Sequence, residues 1–198
     1  MAPDTDHRTR LLDALASVLE TRSFAEVTIA DIVSAAHVSR RTFYEHFDSK
    51  EALFLALCEH ESQQVLRLIV LGFNPLADWV GQLEQLTRTY LRHLQQRPGL
   101  LKALYLSLMN LGEKGLAVRR AMATQFAQFL ILQVEFTRTL EPRKRPLSPV
   151  LASAIVGGIN ELILQAIEQD EAHALENLTP TVNEFIQAVL KSLEPQAS

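Results

Sequence analysis

An all-α fold is predicted for this chain, and three features of the sequence predict it. Apolar residues recur three and four apart in segment after segment, as in Leu11, Leu12, Leu15, Val18 and Leu19, which is the period of a helix with one buried face. Polar residues followed by proline, Ser148-Pro149 and Thr179-Pro180, are the pattern of a helix start, because proline loses nothing in the first turn. No stretch reads convincingly in the two-residue period of a strand. At 198 residues, 47% hydrophobic and 21% charged, the composition is that of a globular protein long enough to bury a core.

In order along the chain, residues 1–6 are expected to be a polar tail and His7 to Thr21 a first helix. Thr28 then offers a hydroxyl as cap, with Asp31 three places on to return the bond, and Ile32 and Ala36 fall on one inward face. The pattern breaks at His37-Val38, and Ser39 reads as a second cap before a short helix whose Phe43 and Phe47 point inward. A further helix opens at Asp48 or Ser49, with Glu51 placed favourably against its dipole, and runs through Leu53, Leu57 and Val65 towards Leu71. Gly72-Phe73-Asn74-Pro75 is a break, with Asn74 as cap and Pro75 in the next first turn. Beyond it lie helical segments from Pro75 to Gln96, Pro98 to Leu111, about Glu113 to Leu140, Pro149 to about Gln169 and Pro180 to Leu193, so that about nine helices are expected in all.

Several function classes are disfavoured. A single cysteine, Cys58, cannot form an internal disulfide or a thiolate-rich zinc site, and in an apolar helix it reads as a small buried side chain. No metal or cofactor is expected. His60-Glu61 would begin a zinc-protease motif, but Gln64 stands where the second histidine must be. No Ser/His/Asp arrangement and no phosphate-cradling loop is evident, so an enzyme is not expected. No apolar run is seen to approach the roughly 20 residues of a membrane span, and the N-terminus is polar; a soluble cytoplasmic protein is the expectation. The formal net charge of −4 is a poor guide to nucleic-acid binding, since counterion release depends on the few cations that touch phosphate, and Arg8, Arg10, Arg40, Arg41 and Lys50 can cluster on one face. Arg143-Lys144-Arg145 reads as a solvated connector between helices.

The outward face of the short helix after Ser39 carries the chemistry. With Val38, Phe43 and Phe47 turned to the core, Arg40, Arg41, Thr42, Tyr44, Glu45 and His46 look outward over two turns. Arginine matches the paired acceptors of guanine, and Thr, Tyr and His are ordinary phosphate contacts. A recognition helix needs this division between an anchored and a donor face. A helical corner with a solvated polar face fits the periodicity about as well.

The residues from Phe43 onward favour the first reading. The run TFYEHFDSKEALF, Thr42 to Phe54, resembles the N-terminal DNA-binding domain of the tetracycline-repressor-like (TetR) family, and the match extends upstream through TRLLDALASVLETRSFAEVTIADIV, covering Thr9 to about Leu57. His37 and Ser23 stand where that family commonly has glycine, and Ala30 where many members carry a longer polar side chain. If the backbone at residue 37 needs positive φ, histidine tolerates it at some cost. The resemblance implies a helix-turn-helix domain over 1–48 and an effector-binding and dimerisation domain over 49–198. It implies DNA contacts from Thr28, Ser39, Arg40, Arg41, Thr42, Tyr44, His46 and Lys50. A homodimer on a near-palindromic double-stranded operator is expected, with Ile155, Gly158, Ile159, Leu162, Phe185, Ile186 and Val189 at the interface. The paired glycines Gly157 and Gly158 are costly inside a helix, and close approach of a partner helix is the reason expected for them. A small hydrophobic effector is expected among Trp79, Tyr90, Tyr105, Met109, Phe126, Phe129, Gln133 and Asn160, residues that would equally make an ordinary core. Repressor action released by that effector is the implied mechanism. An effector-independent helix-turn-helix protein binding DNA or a partner is the alternative.

Overall fold

The computed structural model describes residues 3–74, 79–140 and 144–194, with the backbone alone at 3–5, 79, 80 and 140. Nine α-helices stand among these residues: α1 (Pro3–Val18), α2 (Ile29–Ala36), α3 (Arg40–His46), α4 (Lys50–Gly72), α5 (Trp79–Gln95), α6 (Pro98–Leu108), α7 (Gly112–Leu140), α8 (Pro149–Glu168) and α9 (Thr179–Lys191). Two 3₁₀ segments, Met109–Leu111 and Ala172–Leu178, complete the set, and no strand occurs among the described residues. The all-α fold is as expected. Helix α1 begins at Pro3 rather than near His7, so the helical pattern takes in most of the polar start. The cap expected at Asn74-Pro75 lies partly outside the described residues; the Asn74 amide donates to Gln82 Oε1 of α5.

The chain divides into two compact units, one of residues 1–65 and 96–119, the other of 66–95 and 120–198. In the first, α1 packs across α2 and also meets α3. The packing follows from the apolar faces: Leu11, Leu12 and Leu15 of α1, Ile32 of α2, Phe43 of α3 and Phe54 of α4 are all at most 1% exposed. Each such side chain contributes about 1.5–3 kcal/mol by leaving water. Phe24, in the loop after α1, stacks on Phe54 with ring centroids 4.3 Å apart. The start of α6 belongs to the same unit. Arg97 Nε donates to Glu20 Oε1 at 2.5 Å, the Leu100 amide to Glu20 Oε2 at 3.3 Å, and Gly99 lies so close that an added Cβ would fall 2.1 Å from the Glu20 carbonyl oxygen.

In the second unit α5 packs on the Ala172–Leu178 segment and on α9, and α8 contacts both of these. Arg88 and Arg92 of α5 converge on Glu176, Arg92 through Nε (3.0 Å) and Nη2 (2.7 Å) in a two-pronged pair. The Arg92 guanidinium, with Arg88 beside it, holds the Glu176 carboxyl below its ordinary range. Ser148 caps α8 as expected, accepting from the Leu151 amide at 3.2 Å with Pro149 in the first turn. Thr179 does not cap α9. The 3₁₀ segment runs straight into that helix, and the buried Thr179 hydroxyl turns back to donate to the Glu176 carbonyl at 2.7 Å.

Helix α8 corrects the expectation about membranes in one respect. It is long and apolar enough to cross one by length and composition, and is the one such helix among the described residues. The run escapes a search for unbroken apolar sequence because Asn160 and Glu161 interrupt it. Ala152, Ile155, Val156, Ile163, Ala166 and Ile167 are buried within the chain, while Val150, Ala154 and Gly157 on the same helix are exposed.

Candidate nucleic-acid interface

Helix α2 starts in a reciprocal cap. The Asp31 amide donates to Thr28 Oγ1 at 3.2 Å, while the Thr28 amide and hydroxyl both donate to Asp31 Oδ2, at 2.8 and 2.7 Å. Arg22 adds an ion pair to Asp31 at 3.1 Å. These bonds favour the ionised carboxylate and bring its pKa down to about 2, the Thr28 hydroxyl being the largest cause. With amide and hydroxyl hydrogens both taken by Asp31, Thr28 is a cap whose donors do not face outward, which removes the basis for its expected donation to DNA.

The turn after α2 is a Schellman motif: the His37 amide donates to the Ser34 carbonyl at 3.2 Å and the Val38 amide to that of Val33 at 3.1 Å. His37 is left-handed, φ 52° and ψ 46°, so the glycine-like backbone is kept although a side chain is present. Arg10 of α1 reaches this corner. Its Nη2 donates to the Ala36 carbonyl at 2.5 Å and to that of His37 at 2.9 Å. The guanidinium lies at the negative end of the α2 dipole, with the Nη2 hydrogens given to its own chain.

Helix α3 is capped by Ser39, whose Oγ accepts from the Thr42 amide at 3.0 Å and shares a bond with the Thr42 hydroxyl at 2.9 Å. Phe43 at 0% and Phe47 at 7% exposure anchor its inner face. The outer face carries Arg40, Arg41 and Tyr44, all exposed, with Tyr44 held edge-on against Phe43 at 5.3 Å. Arg41 Nε donates to Glu45 one turn on at 3.1 Å, with its side chain still 90% exposed; such a surface pair is worth about 0–1 kcal/mol and opens readily. His46 is half-buried with its ring 6.3 Å from that of His7, and Arg8 sits over the Phe47 ring at 5.4 Å.

Lys50 is placed differently from its expected role. Its Nζ donates to the Phe24 carbonyl at 3.0 Å and the Val27 carbonyl at 2.7 Å, and lies 4.6 Å from the Phe24 ring centroid. The ammonium ties the loop before α2 to the start of α4, a structural role that the sequence could not reveal because its partners lie 23 and 26 residues away. The cations turned outward near α3 are therefore Arg8, Arg40 and Arg41, with Arg10 and Lys50 used internally.

The remaining predicted residues fall as follows. In the second unit Tyr90 meets Phe126 at 6.1 Å and Phe129 meets Phe73 at 6.5 Å between ring centroids, and Gln133 and Asn160 are half-buried. Tyr105 and Met109 belong to the first unit, and the Trp79 side chain lies outside the described residues. The second unit also carries an open polar groove of about 410 Å³ lined by Arg88, Gln95, Ala174, Glu176, Asn177, Thr179 and Pro180, none of them among the expected effector residues. Ile155 and Ile186, expected at a dimer interface, are 0% and 3% exposed and belong to the chain's own core, so they support α8 and α9 from beneath. Gly158 likewise has a reason inside the chain: the Phe185 ring lies 2.9 Å from where its Cβ would be. Ile159, Leu162, Phe185 and Val189 are half-buried, and Gly157 faces open space.

Two helices joined by a capped left-handed turn, the second anchored by phenylalanines and exposing arginines, define a protein of the helix-turn-helix class. Residues 11–57 match the family of bacterial regulatory proteins described as the tetR family. Among curated relatives, the nucleoid occlusion factor SlmA of Shewanella pealeana is 29% identical over 103 residues, 52% of each chain. The HTH-type transcriptional regulator EthR of Mycolicibacterium smegmatis is 41% identical over 54 residues, 27% of this chain and 25% of that one. The chain thus matches about half the length of the SlmA relatives. Of solved structures, the regulator FadR from Bacillus subtilis in complex with stearoyl-CoA has a TM-score of 0.76 at 16% identity, covering 94% of this chain and 99% of that one. The fatty acid degradation regulator FadR from Bacillus halodurans has a TM-score of 0.71 at 20% identity, covering 96% of both. These likenesses show that the fold extends over almost the whole chain.

Proposed function

We propose that this protein is a non-enzymatic, cytoplasmic DNA-binding regulator of transcription that reads a near-palindromic operator as a homodimer, with α3 as the recognition helix. The observation that carries the reading is the construction of α3: capped by Ser39, anchored by Phe43 and Phe47, and presenting Arg40, Arg41 and Tyr44 outward. One such helix reads only a few base pairs, so two copies related by a two-fold axis, spaced by about one turn of DNA, supply both specificity and affinity. The half-buried Ile159, Leu162 and Val189 and the exposed Val150, Ala154 and Gly157 of α8 and α9 are the surface offered to the second copy.

The regulator acts as a repressor whose operator affinity falls when a small hydrophobic effector binds the helical part of the chain. Coupling of about 1–3 kcal/mol, an ordinary allosteric value, changes affinity by roughly 5–150-fold. Support comes from the aromatic residues of α5 and α7, and from a fold that in FadR from Bacillus subtilis accommodates stearoyl-CoA. A second reading, a helix-turn-helix protein that binds DNA or a partner without an effector, is favoured by the match to relatives named nucleoid occlusion factors. A thermal-shift screen of hydrophobic compounds separates the two, since only a sensor is stabilised by one of them.

Selection of bound fragments from random duplex tests the DNA reading. Arg40→Ala and Arg41→Ala are expected to lose about 1–3 kcal/mol on the selected site for each two-pronged base contact removed, and much less on random duplex. Equal losses on both would show that the arginines do not read sequence.

A further inference from the structure

The corner between α2 and α3 contains a residue that ought to be strained. His37 has φ 52° and ψ 46°, a conformation that glycine adopts freely and that a residue with a Cβ adopts at a cost. The amides of His37 and Val38 close the turn onto Ser34 and Val33, but that leaves the carbonyls of Ala36 and His37 directed away from the helix. Both accept from one nitrogen of Arg10, at 2.5 and 2.9 Å. The backbone that carries this side chain is anchored, because the two residues after Arg10, Leu11 and Leu12, are 0% and 1% exposed in the core. Arg10 thus connects the left-handed turn to the buried face of α1, and α3 begins only three residues beyond His37.

We propose that Arg10 is the positioning residue of the recognition helix: its guanidinium holds the non-glycine turn at His37 and through it sets the direction in which α3 presents Arg40 and Arg41. This inference rests on reading α3 as the recognition helix. Arg10 then acts on DNA binding without touching DNA, in contrast to a phosphate contact from the start of α1. The two roles separate cleanly. Loss of a phosphate contact weakens all duplexes alike and lowers the salt slope by about one. Loss of a positioning residue weakens the selected site, leaves the slope alone, and is relieved when the turn no longer needs holding.

The test uses the full chain and four forms: parent, Arg10→Ala, His37→Gly and the double variant. Amide exchange at His37 and Val38, followed by NMR in the absence of DNA, reports the turn itself. Binding to the selected duplex and to random duplex across a salt series reports its consequence. For Arg10→Ala the expectation is roughly tenfold faster exchange and roughly tenfold weaker binding to the selected duplex, with random duplex within about twofold and the slope unchanged. Adding His37→Gly should recover most of both losses. Unchanged exchange in Arg10→Ala overturns the proposal, as does an equal loss on both duplexes with a shallower salt slope. If Arg10→Ala does not fold, Arg10→Lys with and without His37→Gly carries the same comparison. If the parent retards no duplex, the recognition-helix reading fails, and the exchange measurement alone decides whether Arg10 holds the turn.

Discussion

Replacing Gly99 by alanine adds one methyl group at a crowded backbone contact of the first unit. Its Cβ would lie 2.1 Å from the Glu20 carbonyl oxygen, 2.7 Å from the carbonyl carbon and 2.8 Å from Cα. All three atoms are backbone, so no side chain can swing aside, and the turn after α1 must withdraw from α6 by roughly 1 Å to restore ordinary contact. Withdrawal opens the bonds that Glu20 makes with Arg97 and with the Leu100 amide. Overpacking of this kind costs about 1–3 kcal/mol, and each opened hydrogen bond about 1 kcal/mol. Alanine's better helix propensity offsets about 1 kcal/mol, leaving a net loss of roughly 2–4 kcal/mol and a fall in Tm of roughly 5–15 °C for a chain of this size. Gly158→Ala is the internal comparison. There the opposing atoms, 2.9 and 3.1 Å away, belong to the outer edge of the half-buried Phe185 ring, which can rotate, so the net change should stay within about 1 kcal/mol. Urea unfolding followed by circular dichroism ranks the two variants. A Gly99→Ala protein as stable as the parent, or more stable than Gly158→Ala, would refute the packing described for the start of α6.

The cap of α2 predicts a dependence on acid. Because the Asp31 carboxyl is lowered to about 2 by Thr28 and Arg22, its contribution to stability is complete above the unfolded value of about 4 and is lost as pH falls from there through 2; Asp31→Asn should flatten that part of the stability profile measured by urea titration. Thr28→Ala should cost about 1 kcal/mol at neutral pH in the same assay. Burial raises the Cys58 thiol to about 12, so DTNB should label it at pH 8 only as fast as the protein opens, and stoichiometric labelling of the native protein within seconds would contradict its buried position. Lys50→Ala should lower stability by about 1–3 kcal/mol through loss of two charge-assisted bonds, while the salt slope of DNA binding stays where it was; a slope shallower by about one would return Lys50 to the phosphate backbone.

What could be read from the chain in advance was local. Thr28 with Asp31, Ser39 with Thr42, and Phe43 with Phe47 are three or four residues apart, and at that distance helix geometry alone decides which side chains meet. The glycine-like turn at His37 could be suspected from the glycine that the resembled family commonly has there, and its φ of 52° needed the backbone to be seen. Thr179-Pro180 shows how a correct boundary can carry a wrong detail. Leu178 has helical dihedrals, φ −75° and ψ −10°, so the extended residue that a side-chain cap requires is missing.

Spacing and capping chemistry therefore determined the all-α class, most helix boundaries and the outward arginines of α3, because those depend on neighbours within one or two turns. Only the tertiary structure decided how the cations are used. Arg10 reaches 26 and 27 residues to the turn, Lys50 reaches 23 and 26 to the loop before α2, and Glu20 meets Arg97 across 77. A long charged side chain looks the same in sequence whether it faces solvent, phosphate or a carbonyl of its own chain; the choice is made by which backbone acceptors the packed core brings within about 3 Å of it.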